Sequence, residues 1–98
     1  MDISSIPEAF QSKIRLAIIS SLITGEKTFN QVKEATQASD GNLSIHLTRL
    51  EESDYIVSSK YFVGKKPRTT YKLTDNGRRG FGNYVKMLEQ ILNQDNSK

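Results

Sequence analysis

Residues 39–52 constrain this fold more than any other stretch: Ser39-Asp40-Gly41-Asn42-Leu43-Ser44-Ile45-His46-Leu47-Thr48-Arg49-Leu50-Glu51-Glu52. Leu43, Leu47 and Leu50 recur at i, i+4 and i+7, the spacing of one buried helical stripe. At about 100° per residue, Gly41, Ile45, Thr48, Arg49 and Glu52 fall on the far side, with Asn42 and Ser44 at its edges. Ser39 is placed to cap this helix, and Asp40 in the first turn suits the macrodipole. Soon after comes Tyr61-Phe62-Val63-Gly64-Lys65-Lys66-Pro67-Arg68-Thr69-Thr70-Tyr71, which reads as a hairpin with a basic tip. The leucine stripe needs other helices to cover it. The opposite flank is small, polar and free to meet something else.

The covering helices are legible in the rest of the chain. Ser5-Ile6-Pro7-Glu8 carries helix-start signals, with the main first helix expected over about residues 10–23 and Ser12 as an alternative cap. Ile14, Ala17, Ile18, Ser21 and Leu22 form one face. Leu16, Ile19 and Ile23 form a second stripe nearly opposite. Such a helix must be buried on both sides, by a partner subunit or by the chain's own last helix. Thr24-Gly25-Glu26-Lys27 reads as a turn. Thr28 caps a short helix over residues 29–36, with Phe29, Val32 and Ala35 or Thr36 inward. Tyr55-Ile56-Val57 begins a strand, and the chain turns at Gly64-Lys65-Lys66-Pro67. Thr69, Tyr71 and Leu73 alternate on the return strand. Thr74 caps a last helix over about residues 75–94, with Phe81, Tyr84, Val85, Leu88, Ile91 and Leu92 as a wide apolar stripe. Its length, roughly 30 Å, suggests a dimerisation arm.

Charge is unevenly placed. Residues 60–86 hold eight basic residues against the single acid Asp75, a net of +7, while the remainder is −4 and the whole 98-residue chain +3. That local excess is the electrostatic footprint of a polyanion binder. The length suits one domain, residues 1–98, with its core over about 10–74. No apolar run approaches the roughly 20 residues that span a bilayer. Residues 1–5 lack the features of an export signal, which points to the cytoplasm. There is no cysteine, so disulfides and thiolate metal sites are excluded. With one histidine, a metal site lacks imidazole partners. Neither metal nor cofactor is expected.

The order helix, helix, helix, strand, turn, strand, helix resembles winged helix-turn-helix regulators of the ArsR and MarR types. Three runs carry the resemblance: Ile14-Arg15-Leu16-Ala17-Ile18, Asn42-Leu43-Ser44-Ile45-His46-Leu47-Thr48-Arg49-Leu50-Glu51, and Arg68-Thr69-Thr70-Tyr71-Lys72-Leu73-Thr74-Asp75-Asn76-Gly77. The chain is most similar to small stand-alone members of that group. The resemblance implies an α+β fold that is mainly helical: a three-helix core, a β wing and a long C-terminal dimerisation helix. It also implies a homodimer that binds double-stranded DNA and regulates transcription. The lack of cysteine departs from metal-sensing ArsR proteins. The chain also lacks the extra helices that form effector pockets in MarR proteins.

On this reading the helix at 39–53 enters the major groove. Its contact candidates are Ser39, Asp40, Gly41, Asn42, Ser44, Ile45, His46, Thr48 and Arg49. Arg49 can take guanine or phosphate, Asn42 adenine, and Ile45 a thymine methyl. Ile45 could instead be a minor core residue. His46, between the two faces, could be a hydrogen-bonded boundary residue or touch phosphate. In the wing at 63–68, Lys65, Lys66, Pro67 and Arg68 meet the backbone or minor groove. Leu16, Ile19, Ile23, Phe81, Tyr84, Val85, Leu88, Ile91 and Leu92 are the expected dimer interface. Gly77, Gly80 and Gly82 lack dinucleotide-fingerprint spacing and read as close-packing positions. No nucleophile and base are assembled, so an enzyme is not expected. The rival reading is an adaptor that uses the same fold to bind protein.

Overall fold

The computed structural model describes residues 5–96; the opening segment read for an export signal lies largely outside these, as do the last two residues. Helix α1 spans Lys13–Leu22, strand β1 Lys27–Thr28, α2 Phe29–Thr36 and α3 Asp40–Glu52. Strands β2 (Ile56–Val63) and β3 (Lys66–Leu73) follow, then α4 (Asp75–Asn96). A 3-10 turn at Glu8–Phe10 precedes α1. The expected fold class is therefore present: four helices and a small antiparallel sheet forming a winged helix.

Local chemistry sets the helix starts. Ser12 accepts a hydrogen bond from the Arg15 amide, so α1 begins after residue 12 rather than at residue 10. Thr28 and Gln31 form a reciprocal capping box on α2. The Ser39 hydroxyl accepts from the Asn42 amide at the start of α3. Thr74 accepts from the Gly77 amide at the start of α4. Helix α4 continues past residue 94 to Asn96.

The turn expected at residues 24–27 is shorter than predicted. Lys27 and Thr28 pair with Tyr71 and Thr70, giving the sheet order β1-β3-β2. Thr70, buried in the central strand, donates its hydroxyl to the Glu26 carboxylate and ties this addition down.

The core is built from Ile18, Ile19 and Leu22 of α1, Val32 of α2, and Leu43, Leu47 and Leu50 of α3. Ile56, Leu73, Ala9 and Phe10 close it. In α2 Thr36 turns inward and Ala35 outward. Ile19, expected at a subunit interface, is instead fully enclosed by its own chain. The reason is that α1 is packed by α2, α3, β3 and the 3-10 turn together, so both of its stripes find cover.

Helix α4 leaves this core as an arm. The molecule measures 61 Å in its longest direction and only 24 and 22 Å across. Gly77 makes the junction possible: a Cβ there would lie 2.0 Å from the Tyr55 carbonyl oxygen. Gly80 likewise lets the Tyr55 ring pack against the helix, with a Cβ contact of 3.1 Å. Gly82, expected to serve the same purpose, has open space around it. Phe10 stacks on Tyr84 (4.8 Å between centroids, 14° between planes) and meets Tyr55 edge-on at 5.6 Å. Phe81 lies 6.2 Å from Phe10. The base of α4 is thus bound to its own core through aromatic contacts.

Candidate nucleic-acid interface

The flank of α3 opposite its leucines is open. Gly41, Asn42, Ser44, Ile45, Thr48 and Arg49 are all exposed. Ile45 is 56% exposed, which removes the core reading. Ser39 is committed to capping, and Asp40 pairs with Lys33 of α2 at 2.7 Å. That pair joins the start of α3 to α2 and lowers the negative charge at the end of the open flank.

His46 is half-buried, and its Nδ1 lies 3.1 Å from the Arg15 guanidinium. An arginine can only donate, so Nδ1 accepts and the imidazole proton sits on Nε2. Burial first, then the positive charges of Arg15 and Arg49, hold this imidazole below its ordinary pKa of 6.5. His46 is therefore neutral near pH 7, with one N–H left to donate. Arg15 is itself buried and donates to the Glu8 carbonyl at 2.8 Å. The Glu8 carboxylate lies 4.0 Å from Arg15 and 3.5 Å from Arg49. Glu8 and Arg15 are thus part of the site, although sequence reasoning passed over both. The one signal was an arginine interrupting an apolar helix.

The wing is a hairpin with a two-residue loop, closed by the pair Val63–Lys66. Gly64 has φ +64° while Lys65 is not left-handed, the pattern expected where glycine holds the first loop position. The turn is thus Gly64-Lys65, and of the four residues expected to turn, Lys66 and Pro67 already belong to β3. Pro67 lies within β3 opposite Phe62. In an antiparallel ladder that pair follows the hydrogen-bonded closing pair, so the proline nitrogen faces away from β2 and costs no ladder bond. Lys65, Lys66, Pro67 and Arg68 are all exposed. Residues 56–73, the two strands with their turn, contain five basic residues and no acid.

The wing root is fixed to α3. The Ser58 hydroxyl donates to the Glu51 carboxylate at 3.0 Å. Tyr71 is raised above its ordinary pKa by burial and then by Glu51. Glu51 therefore braces the wing. Lys66 and Arg68 border a surface recess of about 450 Å³ shared with Phe29 and Asn30 in the first turn of α2. Helix starts favour anions, so cations and helix dipole act together there.

Among the described residues, no cluster of three or more His, Cys, Asp or Glu side chains could hold a metal ion. No helix there is long and apolar enough to cross a membrane. An open polar helix flank braced beside a cationic hairpin defines a winged-helix protein of the nucleic-acid-binding class.

Residues 14–92 match the family described as the winged helix DNA-binding domain. The chain is 35% identical over 83 residues to the uncharacterized protein MJ0432 of Methanocaldococcus jannaschii, covering 84% of this chain and 90% of that one. The chain belongs to this winged helix DNA-binding family. The solved structure of a transcriptional regulator homologue from Pyrococcus horikoshii is 25% identical, with a TM-score of 0.74 over 89% of this chain and 92% of that one. A MarR-family transcriptional regulator from Enterococcus faecalis shares the fold at 17% identity, with a TM-score of 0.80 over 99% and 94% of the two chains.

Proposed function

We propose that this protein is a homodimeric transcriptional regulator that reads an inverted repeat in duplex DNA. One observation carries the reading: in a chain of a DNA-binding family, the outward flank of α3 is open to solvent and the neighbouring wing is cationic and contains no acid. Asn42, Ser44, Ile45 and Arg49 meet base edges in the major groove. Gly41 admits close approach, and Thr48 and the Nε2–H of His46 reach phosphate. Lys65, Lys66 and Arg68 neutralise phosphates flanking the reading helix. Pro67 stiffens the strand from which Arg68 projects.

Dimerisation supplies the second half-site. Phe81 and Tyr84 are partly used by the aromatic cluster, and Leu16 and Ile23 are half-buried against the core. Val85 is also half-buried, while Leu88, Ile91 and Leu92 are 46%, 43% and 62% exposed along the arm. These residues suit a helix pairing between two copies. Paired reading helices would sit one duplex turn apart, about 34 Å. Repression by occlusion of a promoter is the expected mode.

The test is duplex binding across a salt series by Arg49→Ala and by Lys65→Ala/Lys66→Ala. Each lost phosphate contact should reduce the log–log salt slope by about 0.9. If neither variant binds more weakly than the parent, the assigned surface is wrong. Failure of the parent protein to be retained on heparin and on random duplex near physiological salt would favour the protein adaptor.

A further inference from the structure

The outer half of the wing is more apolar than a phosphate clamp requires. Phe62 is 72% exposed, the highest value among the large exposed apolar side chains of the described residues. Tyr61 and Val63 are 43% and 55% exposed. None of the three belongs to the core or to its packed margin.

The ladder sorts these groups. Phe62 stands opposite Pro67, and Val63 opposite Lys66 in the closing pair. The Phe62–Pro67 pair is therefore not hydrogen-bonded, the type in which side chains approach most closely. It forms an apolar plate on one face of the hairpin. The next pair inward on that face is Lys60–Thr69. On that face Lys60 stands inward of the plate and the Lys65 turn lies beyond it, while Lys66 and Arg68 belong to the alternate pairs of the opposite face; all four are exposed. A partner for this surface must offer apolar area and negative charge at a spacing of a few ångströms. The sugar–phosphate wall of a nucleic-acid groove does so.

Dimensions narrow the contact. Phe62 lies two residues behind Gly64, about 7 Å at strand rise. The minor groove is roughly 7.5 Å deep and 6 Å wide. With the Gly64-Lys65 tip seated in the groove, the ring lies at the groove mouth, against deoxyribose, and not between stacked bases. We infer that Phe62, backed by Pro67, packs on the deoxyribose wall of the minor groove and supplies a salt-independent share of duplex affinity. This rests on the DNA-binding reading above and adds a contact of a different physical kind.

Salt dependence separates the two kinds. A cation that releases counterions changes the slope of affinity against salt, whereas an apolar contact shifts affinity equally at every salt concentration. The experiment uses the full chain and a labelled duplex selected from a genomic pool, with fluorescence anisotropy over a salt series. Phe62→Ala should bind about tenfold more weakly at every salt concentration with the parental slope, a loss within the range for an aromatic side chain leaving an apolar contact. Phe62→Leu should retain affinity to within about threefold. Lys65→Ala/Lys66→Ala should lower the slope by about 1.8. Thermal melting of Phe62→Ala should match the parent, because the ring is outside the core. If Phe62→Ala binds within twofold of the parent, or loses affinity with a reduced slope, the sugar contact is wrong while the DNA-binding reading stands. If the parent binds no duplex at all, both fall.

Discussion

The buried guanidinium of Arg15 faces Nδ1 of His46 at 3.1 Å, so a cation inside the subunit sets the tautomer of a side chain on α3. Protonating His46 would put two positive charges in contact and remove that bond. The chain has one histidine, so its titration can be followed by NMR without ambiguity. The midpoint should fall below 6.5, and Arg15→Gln should raise it.

The same relationship has a stability consequence with a definite sign. A histidine whose folded pKa is depressed binds fewer protons when folded than when unfolded. Its stabilising contribution is present above about pH 6.5 and is lost as pH falls from there toward the lower folded value. Denaturant midpoints should decline over that interval, and His46→Gln should flatten the decline.

Glu8 lies 3.5 Å from Arg49, so an internal carboxylate occupies the guanidinium that the proposed function assigns to DNA. Both groups are exposed, and such pairs are worth only about 0.2–1 kcal/mol. Glu8→Gln should therefore raise duplex affinity by about 1.4- to fivefold in a binding titration. Unchanged or weaker binding would remove Arg49 from the contact surface or assign Glu8 a positioning role.

Two glycines of α4 should respond in opposite directions. A methyl group at Gly77 would collide with the Tyr55 backbone, so Gly77→Ala should cost about 1–3 kcal/mol or more in chemical denaturation. Gly82 has nothing within 4 Å, so Gly82→Ala should stabilise by about 0.5–1 kcal/mol through helix propensity.

If α4 pairs two copies, Leu88→Glu/Leu92→Glu should convert the particle to a monomer in sedimentation velocity. Duplex affinity should drop with it, because one half-site is lost. A parent protein that sediments as a monomer at all concentrations would reject the arm's assigned role.

What could be read from the sequence was what neighbouring residues decide. Ser39, Thr28 and Thr74 cap helices through bonds to amides three residues on, so their effect is visible in short windows. The leucine stripe of α3 and the open flank opposite it follow from helical spacing alone. Strand β1 was hidden because Lys27 and Thr28 have no strand pattern of their own; Tyr71 and Thr70, far along the chain, make them a strand. Ile19 was misplaced because periodicity shows that a side is apolar, not which element covers it. The Glu8–Arg15–His46–Arg49 group draws on three separate segments, and charged side chains on an amphipathic pattern ordinarily read as solvated. The roles of Phe62 and Val63 depended on the turn falling at Gly64-Lys65, which fixes how far behind the tip they stand.

At Gly77 a single hydrogen atom is all that separates the arm from the Tyr55 carbonyl. The bearing at which the arm departs is consequently a property of the peptide chain itself, with little slack for a side chain to absorb. If the proposed pairing holds, a tilt where two arms meet is handed on to the body of each subunit at Tyr55 and is not taken up at the joint.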